Sequence, residues 1–207
     1  KINFELANSN NDKNKFSSID DKDNNGLAAK IELENFFTST DKIEIINRLQ
    51  FKHINKDFRS IENYYNTEFL RDWNLDSTLL NVNNQFNKTQ NEASAEILIT
   101  KKNIGFVNYS YQNLEFVNNF KGTKHNTLFN YNNNKIKINS NNSLLKSNSE
   151  LIKSEFSRSY NTVRLKNKNK WFDINLDYEN NIKRNKNTDS LIVNSHKFTS
   201  YGFTAGV

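Results

Sequence analysis

Residues 171–180 read W-F-D-I-N-L-D-Y-E-N, a strict alternation that decides the fold class. Phe172, Ile174, Leu176 and Tyr178 fall on one side, and Asp173, Asn175, Asp177 and Glu179 on the other. Successive side chains of a strand point to opposite faces, so this segment predicts a strand with one apolar and one polar face. Weaker copies of the pattern begin at Ile2–Ala7, where Ile2, Phe4 and Leu6 alternate with Asn3 and Glu5. They continue through A-K-I-E-L-E-N-F-F (29–37) and Lys42–His53. The last of these also carries Ile46 and Leu49 at helical spacing, but period two fits more of its positions.

Further strands are expected near Leu80–Phe86, Ala95–Thr100, Gly105–Tyr111, Leu114–Phe120, Thr127–Tyr131 and Lys135–Ser140. Ser154–Lys166, Trp171–Ile182, Ser190–Lys197 and Ser200–Val207 follow. The joints are Asn/Lys/Asp/Ser clusters. With no Pro and only five Gly, Asn and Asp must supply the positive φ angles of tight turns. Nothing resembles a βαβ crossover. The expectation is therefore all-β: an antiparallel up-and-down meander of about ten to twelve strands, as a β-barrel or part of one, with a β-sandwich as the alternative. Residues 1–207 form a single β-rich region. The least regular stretch, Asp57–Trp73, is its candidate seam, and Phe58, Ile61, Tyr65 and Phe69 there are spaced for a turn or two of helix.

The net charge of +6 would ordinarily point to an anionic partner. Here about a fifth of the residues are Asn and Lys far outnumbers Arg, a skew that AT-rich codons produce without selection for phosphate binding. No Arg/Lys stripe or recognisable module accompanies the charge, so nucleic acid is not the expected partner. Zero Cys excludes disulfides and thiolate chemistry. The chain contains no Met and opens directly on a strand, so a processed chain or an excerpt of a longer protein is expected. No apolar run is long enough for a transmembrane helix, a criterion that leaves a transmembrane barrel open.

D-K-D-N-N-G-L-A-A-K-I-E (21–32) fits a calcium-loop pattern, with Asp21, Asp23, Asn25 and Glu32 as oxygen ligands and Gly26 at the turn. The flanking N-S-N-N-D-K-N-K is a poor entering helix, and Ile31 and Glu32 already alternate like a strand. A polar loop closing on an Asn-Gly turn is the competing reading, so calcium is a candidate cofactor only through this loop. Asp173, Asp177 and Glu179 are spaced like a carboxylate pair of a glycosidase, but a solvated or lumen-facing surface explains them as well. His53, His125 and His196 share no ligand spacing. No catalytic motif is present, and no enzymatic activity is expected. Two aromatic groups, Tyr64/Tyr65/Phe69/Trp73 and Tyr109/Tyr111/Phe116/Phe120, suit core packing, a membrane-facing belt or a ligand platform.

The stretches S-N-N-D-K-N-K-F-S-S-I-D-D-K-D-N-N-G-L-A and Y-N-T-E-F-L-R-D-W-N-L resemble segments of very large β-rich envelope proteins of the Bacteroidota, the setting of the type 9 secretion translocon. The resemblance spans about Ser9–Leu75. It implies an outer-membrane or cell-surface location, membrane and envelope proteins as partners, and membership of a longer chain or complex. The expected function is a non-enzymatic structural or transport component of barrel type; the alternative is a soluble extracellular β-sandwich or adhesin-like module, calcium-stabilised. In the barrel reading, Phe172–Tyr178 meet lipid and the acidic face lines the lumen.

Overall fold

Alternation on this scale leaves each segment with one face to bury and one to hydrate, and only pairing satisfies its backbone. The computed structural model describes residues 1–12, 16, 24–40, 42–61, 68–75 and 88–207, with backbone alone at 39 and 40. Its strands are β1 (Ile2–Asn10), β2 (Asn25–Thr40), β3 (Ile43–Ile54), β4 (Gln90–Lys101) and β5 (Gly105–Phe116). They continue as β6 (Phe120–Asn132), β7 (Ile136–Ser149), β8 (Ile152–Asn167), β9 (Lys170–Asn185) and β10 (His196–Gly206). Each pairs antiparallel with its neighbours in chain order, giving, among the described residues, one ten-stranded up-and-down sheet with β1 and β10 at its edges. The expected antiparallel meander is thus observed, and Lys42–His53 is a strand. One short helix, α1 (Phe69–Asp72), interrupts the β3–β4 connection, within the stretch whose spacing predicts it.

The connections are unequal. At one end of the sheet the strands join through residues 41–42, 102–104, 133–135 and 168–169. At the other end lie the long connections 11–24, 55–89 and 186–195, beside two short turns. Positive φ falls on Asn103, Asn118, Lys168 and Asp189 in these joints, where Asn and Asp tolerate the left-handed region better than most residues. Gly105 has φ +150, and a Cβ there would lie 1.9 Å from the Asn130 carbonyl oxygen. Gly105→Ala is expected to cost about 1–3 kcal/mol of stability, read as a shifted midpoint in chemical denaturation.

Several strand expectations need correction. Leu114–Phe120 is not a strand: it straddles the turn Val117–Asn119 between β5 and β6. Ser190–Lys197 is mostly loop, with an isolated bridge between Leu191 and Arg184, and β10 starts at His196. Thr127–Tyr131 and Lys135–Ser140 are fragments of the longer β6 and β7. Their remaining positions carry Asn, Ser, Thr and Lys on both faces, which hides the period. Leu80–Phe86, Tyr64 and Tyr65 lie outside the described residues.

The register sorts every strand into two faces. Following the cross-strand pairs, the outer face carries Ile2, Phe4, Leu6, Ile31, Leu33, Ile45, Leu49 and Phe51. It continues through Ile97, Ile99, Val107 and Tyr109 to Phe172, Ile174, Leu176, Tyr201 and Phe203. The inner face is polar through its middle; toward the short-joint end it carries Phe36, Ile46, Leu98, Phe106 and Leu128, and it turns apolar again at the long-connection end. There Leu114, Phe116, Phe120 and Leu145 bury against Trp73 and Leu75 of the β3–β4 connection, with Phe69, Leu70 and Phe156 alongside. This small cluster is the core of the described molecule. The second aromatic group is therefore split: Tyr109 and Tyr111 face outward, Phe116 and Phe120 inward.

Candidate functional site

On the inner face, opposite charges stand opposite one another across strand pairs, where register brings side chains within about 5 Å. Arg48 on β3 bridges Glu34 (2.6 Å) and Glu96 (3.2 Å), and Asn108 donates to Glu96 at 2.6 Å. Lys30 lies between Glu5 and Glu32 at 3.6 and 3.3 Å, and Lys52 pairs with Glu92 at 2.6 Å. On the far strands, Arg164 donates to both carboxylate oxygens of Asp173 at 2.7 Å while its guanidinium lies over Trp171. Arg158 Nε and Tyr160 Oη donate to Glu179, and His196 Nε2 is 2.9 Å from the other oxygen. Asn130–Asn139 and Thr162–Asn175 bonds fill the spaces between. The result is a hydrophilic surface whose polar groups are cross-linked strand to strand.

The inner face is also concave. A cleft of about 570 Å³ is lined by residues of seven consecutive strands, from Glu92 on β4 to His196 on β10. In a flat sheet those strands span about 29 Å, so the sheet must curl to bring them around one space. The connection bearing α1 roofs the cleft. Trp73 is buried there, Lys124 Nζ lies 4.6 Å above its ring, and Asn74 donates to Ser154 Oγ (2.9 Å) and Asn181 Oδ1 (3.2 Å). Gly122 permits the approach: a Cβ would meet the rings of Phe120 and Trp73 at 3.0–3.1 Å. The cleft wall offers amide and hydroxyl groups (Gln112, Asn126, Asn141, Ser143) and the cations Lys124 and Arg158, a surface suited to hydrated solutes.

The three acidic residues singled out in the sequence do share this inner face. Arg164 pairs with Asp173, and Arg158 and His196 with Glu179; these partners lie on neighbouring strands, and pairing across strands is invisible without a register. The histidines are not brought together. His53 bonds Asn91 and His125 bonds Tyr109 on the outer face, each at 2.8 Å, whereas His196 is inward. Among the described residues no group of three or more acidic or histidine side chains is positioned to hold a metal.

Of the calcium-loop set, Asp21 and Asp23 lie outside the described residues. Asn25 opens β2 and accepts from Asn10 at 3.2 Å, while Glu32 is further along the same strand, engaged by Lys30 and Asn3. Seven extended residues separate them by about 23 Å, and two ligands of one calcium ion lie within about 5 Å. The structure therefore does not bring Asn25 and Glu32 to a common ion, because the strand starts before the loop pattern ends. No family model, curated protein or solved structure matches the chain.

Proposed function

We propose that this chain is a non-enzymatic wall of a membrane-spanning β-barrel in a bacterial outer membrane or cell surface, with its concave polar face lining an aqueous lumen. One observation carries the reading: the apolar band on the outer face runs obliquely across the strands, as a bilayer demands of a tilted barrel. The hydrogen-bonded row through Phe4 is apolar at Ile31, Phe51 and Ala93, then turns polar at Asn113, Thr123, Lys146 and Glu155. The row through Phe203 is apolar at Ile174, Val163, Ile138 and Tyr131, then runs into the turn at Gly105 and Lys101.

On β9 the Phe4 row emerges at Ile182, eight residues from Ile174. That offset is ~26 Å, accumulated over about 38 Å of strand spacings, an inclination of about 35°. Barrel strands tilt by about 35–45°, and their apolar band is about 25 Å tall. Supporting features are strands of 9–16 residues, short joints at one end with long ones at the other, and the polar inner face. The resemblance of Ser9–Leu75 to envelope proteins agrees.

One feature favours the second reading, a soluble extracellular β-module. On the outer face of β7 and β8, Ser140, Asn142, Ser159 and Asn161 form a closed hydrogen-bond network. Mutual satisfaction lowers the cost of such groups in lipid without removing it, so the network weighs toward the soluble module. Refolding with phospholipid vesicles separates the two readings. The protein is expected to float with the vesicles in a density gradient and to stay with them through a high-salt wash. Recovery as a detergent-free monodisperse monomer, with none in the lipid fraction, overturns the membrane reading.

A further inference from the structure

A membrane wall cannot keep free edges, because an unpaired backbone group in hydrocarbon costs several kcal/mol. Resting on the membrane reading above, we infer that β1 and β10 of the same chain meet, with Phe4 level with Phe203, and close a ten-stranded barrel.

Four features of the two edges support this. Their directions are opposite, since ten strands run alternately up and down, so they meet antiparallel. Their free backbone groups also correspond. Glu34 N donates to Lys1 O, so by the alternation of an antiparallel ladder Ile2, Phe4, Leu6 and Asn8 point their N–H and C=O away from β2. On the other side Lys186 N donates to Leu151 O and Ile192 N to Lys183 O. The same alternation leaves Lys197, Thr199, Tyr201, Phe203 and Ala205 pointing away from β9. Both free sets belong to residues whose side chains face outward, as two strands sharing one ladder require.

The lengths agree as well: with Phe4 opposite Phe203, the nine residues Ile2–Asn10 face the nine residues Lys197–Ala205. So does the chemistry. Outward pairs become Ile2/Ala205, Phe4/Phe203 and Leu6/Tyr201, and inward pairs become Asn3/Thr204, Glu5/Gly202 and Ala7/Ser200. The apolar band joins end to end without a step, and the eight-residue offset becomes the shear of the closed barrel, with a tilt of about 30°.

The absence of native Cys makes the register testable by disulfide trapping. Ala7 and Ser200 would form a non-hydrogen-bonded pair with Cα atoms about 4.5 Å apart, inside the disulfide range. The double variant Ala7→Cys/Ser200→Cys, oxidised in vesicles, is expected to lose nearly all free thiol and to give a linked peptide at monomer mass. Ala7→Cys/Thr204→Cys, displaced by four residues, is expected to keep its thiols. A disulfide-linked dimer from the first variant overturns the inference in favour of a second copy at the edge. Retained thiols overturn it in favour of other strands. Flotation of the same sample reports the membrane reading separately: floating without linking refutes closure alone, and linking in detergent without floating refutes the membrane alone.

Discussion

Ile174→Arg is expected to reduce stable insertion into vesicles by between roughly 30-fold and 1000-fold, while Asn141→Arg leaves it near the native level. The two residues sit on opposite faces. Ile174 is 39% exposed in the middle of the outer apolar band, flanked by Phe172, Leu176 and Phe203. An arginine at the lipid-facing midplane of a barrel costs about 2–4 kcal/mol, which is the fold-change above. Asn141 lines the inner cleft, where a further cation stays in contact with water. Measuring the lipid-bound fraction across a urea series gives both values. Equal effects, or none at Ile174, would mean that the outer face does not contact lipid.

The second large effect is expected at Trp73, where truncation to Ala should cost about 3–5 kcal/mol. Its indole is 3% exposed and anchors a cluster with Leu114, Phe116, Phe120 and Leu145. That loss is a large fraction of the about 5–15 kcal/mol that holds a typical fold. Trp73 and Trp171 are the only two tryptophans, so fluorescence adds a direct check. The variant should lose the blue-shifted emission of a dry indole and keep the signal of Trp171 beside Arg164. Its unfolding midpoint should fall as well. An unchanged midpoint would show that the roof over the cleft contributes nothing to the wall beneath it.

The legibility of the fold in the sequence varied along the chain for a physical reason. Trp171–Asn180 could be read because both faces are extreme in polarity. β7 could not be read beyond Ser140, since Asn141, Asn142 and Ser143 suit either face and turns besides. Val117–Asn119 does not read as a joint because Leu114, Phe116 and Phe120 continue the alternation through it, and Asn118 takes positive φ without a Gly to mark it. For the site, the acidic half was visible as a period-two row in one segment. The basic half lies on neighbouring strands, and the roof comes from a connection far earlier in the chain. Only the register assembles Arg164 with Asp173, and only the folded connection sets Trp73 against Gly122.

The slant of the apolar band also shapes the rim. In the membrane orientation it defines, β5–β8 stand higher than β1 and β2 at the long-connection end. In the proposed barrel, their outward residues there, Glu115, Lys121, Lys146, Lys153 and Glu155, would form a charged parapet above the lipid headgroups. In that reading, a macromolecule approaching along the membrane plane from the β5–β8 side would meet this charged wall before it reached the cleft.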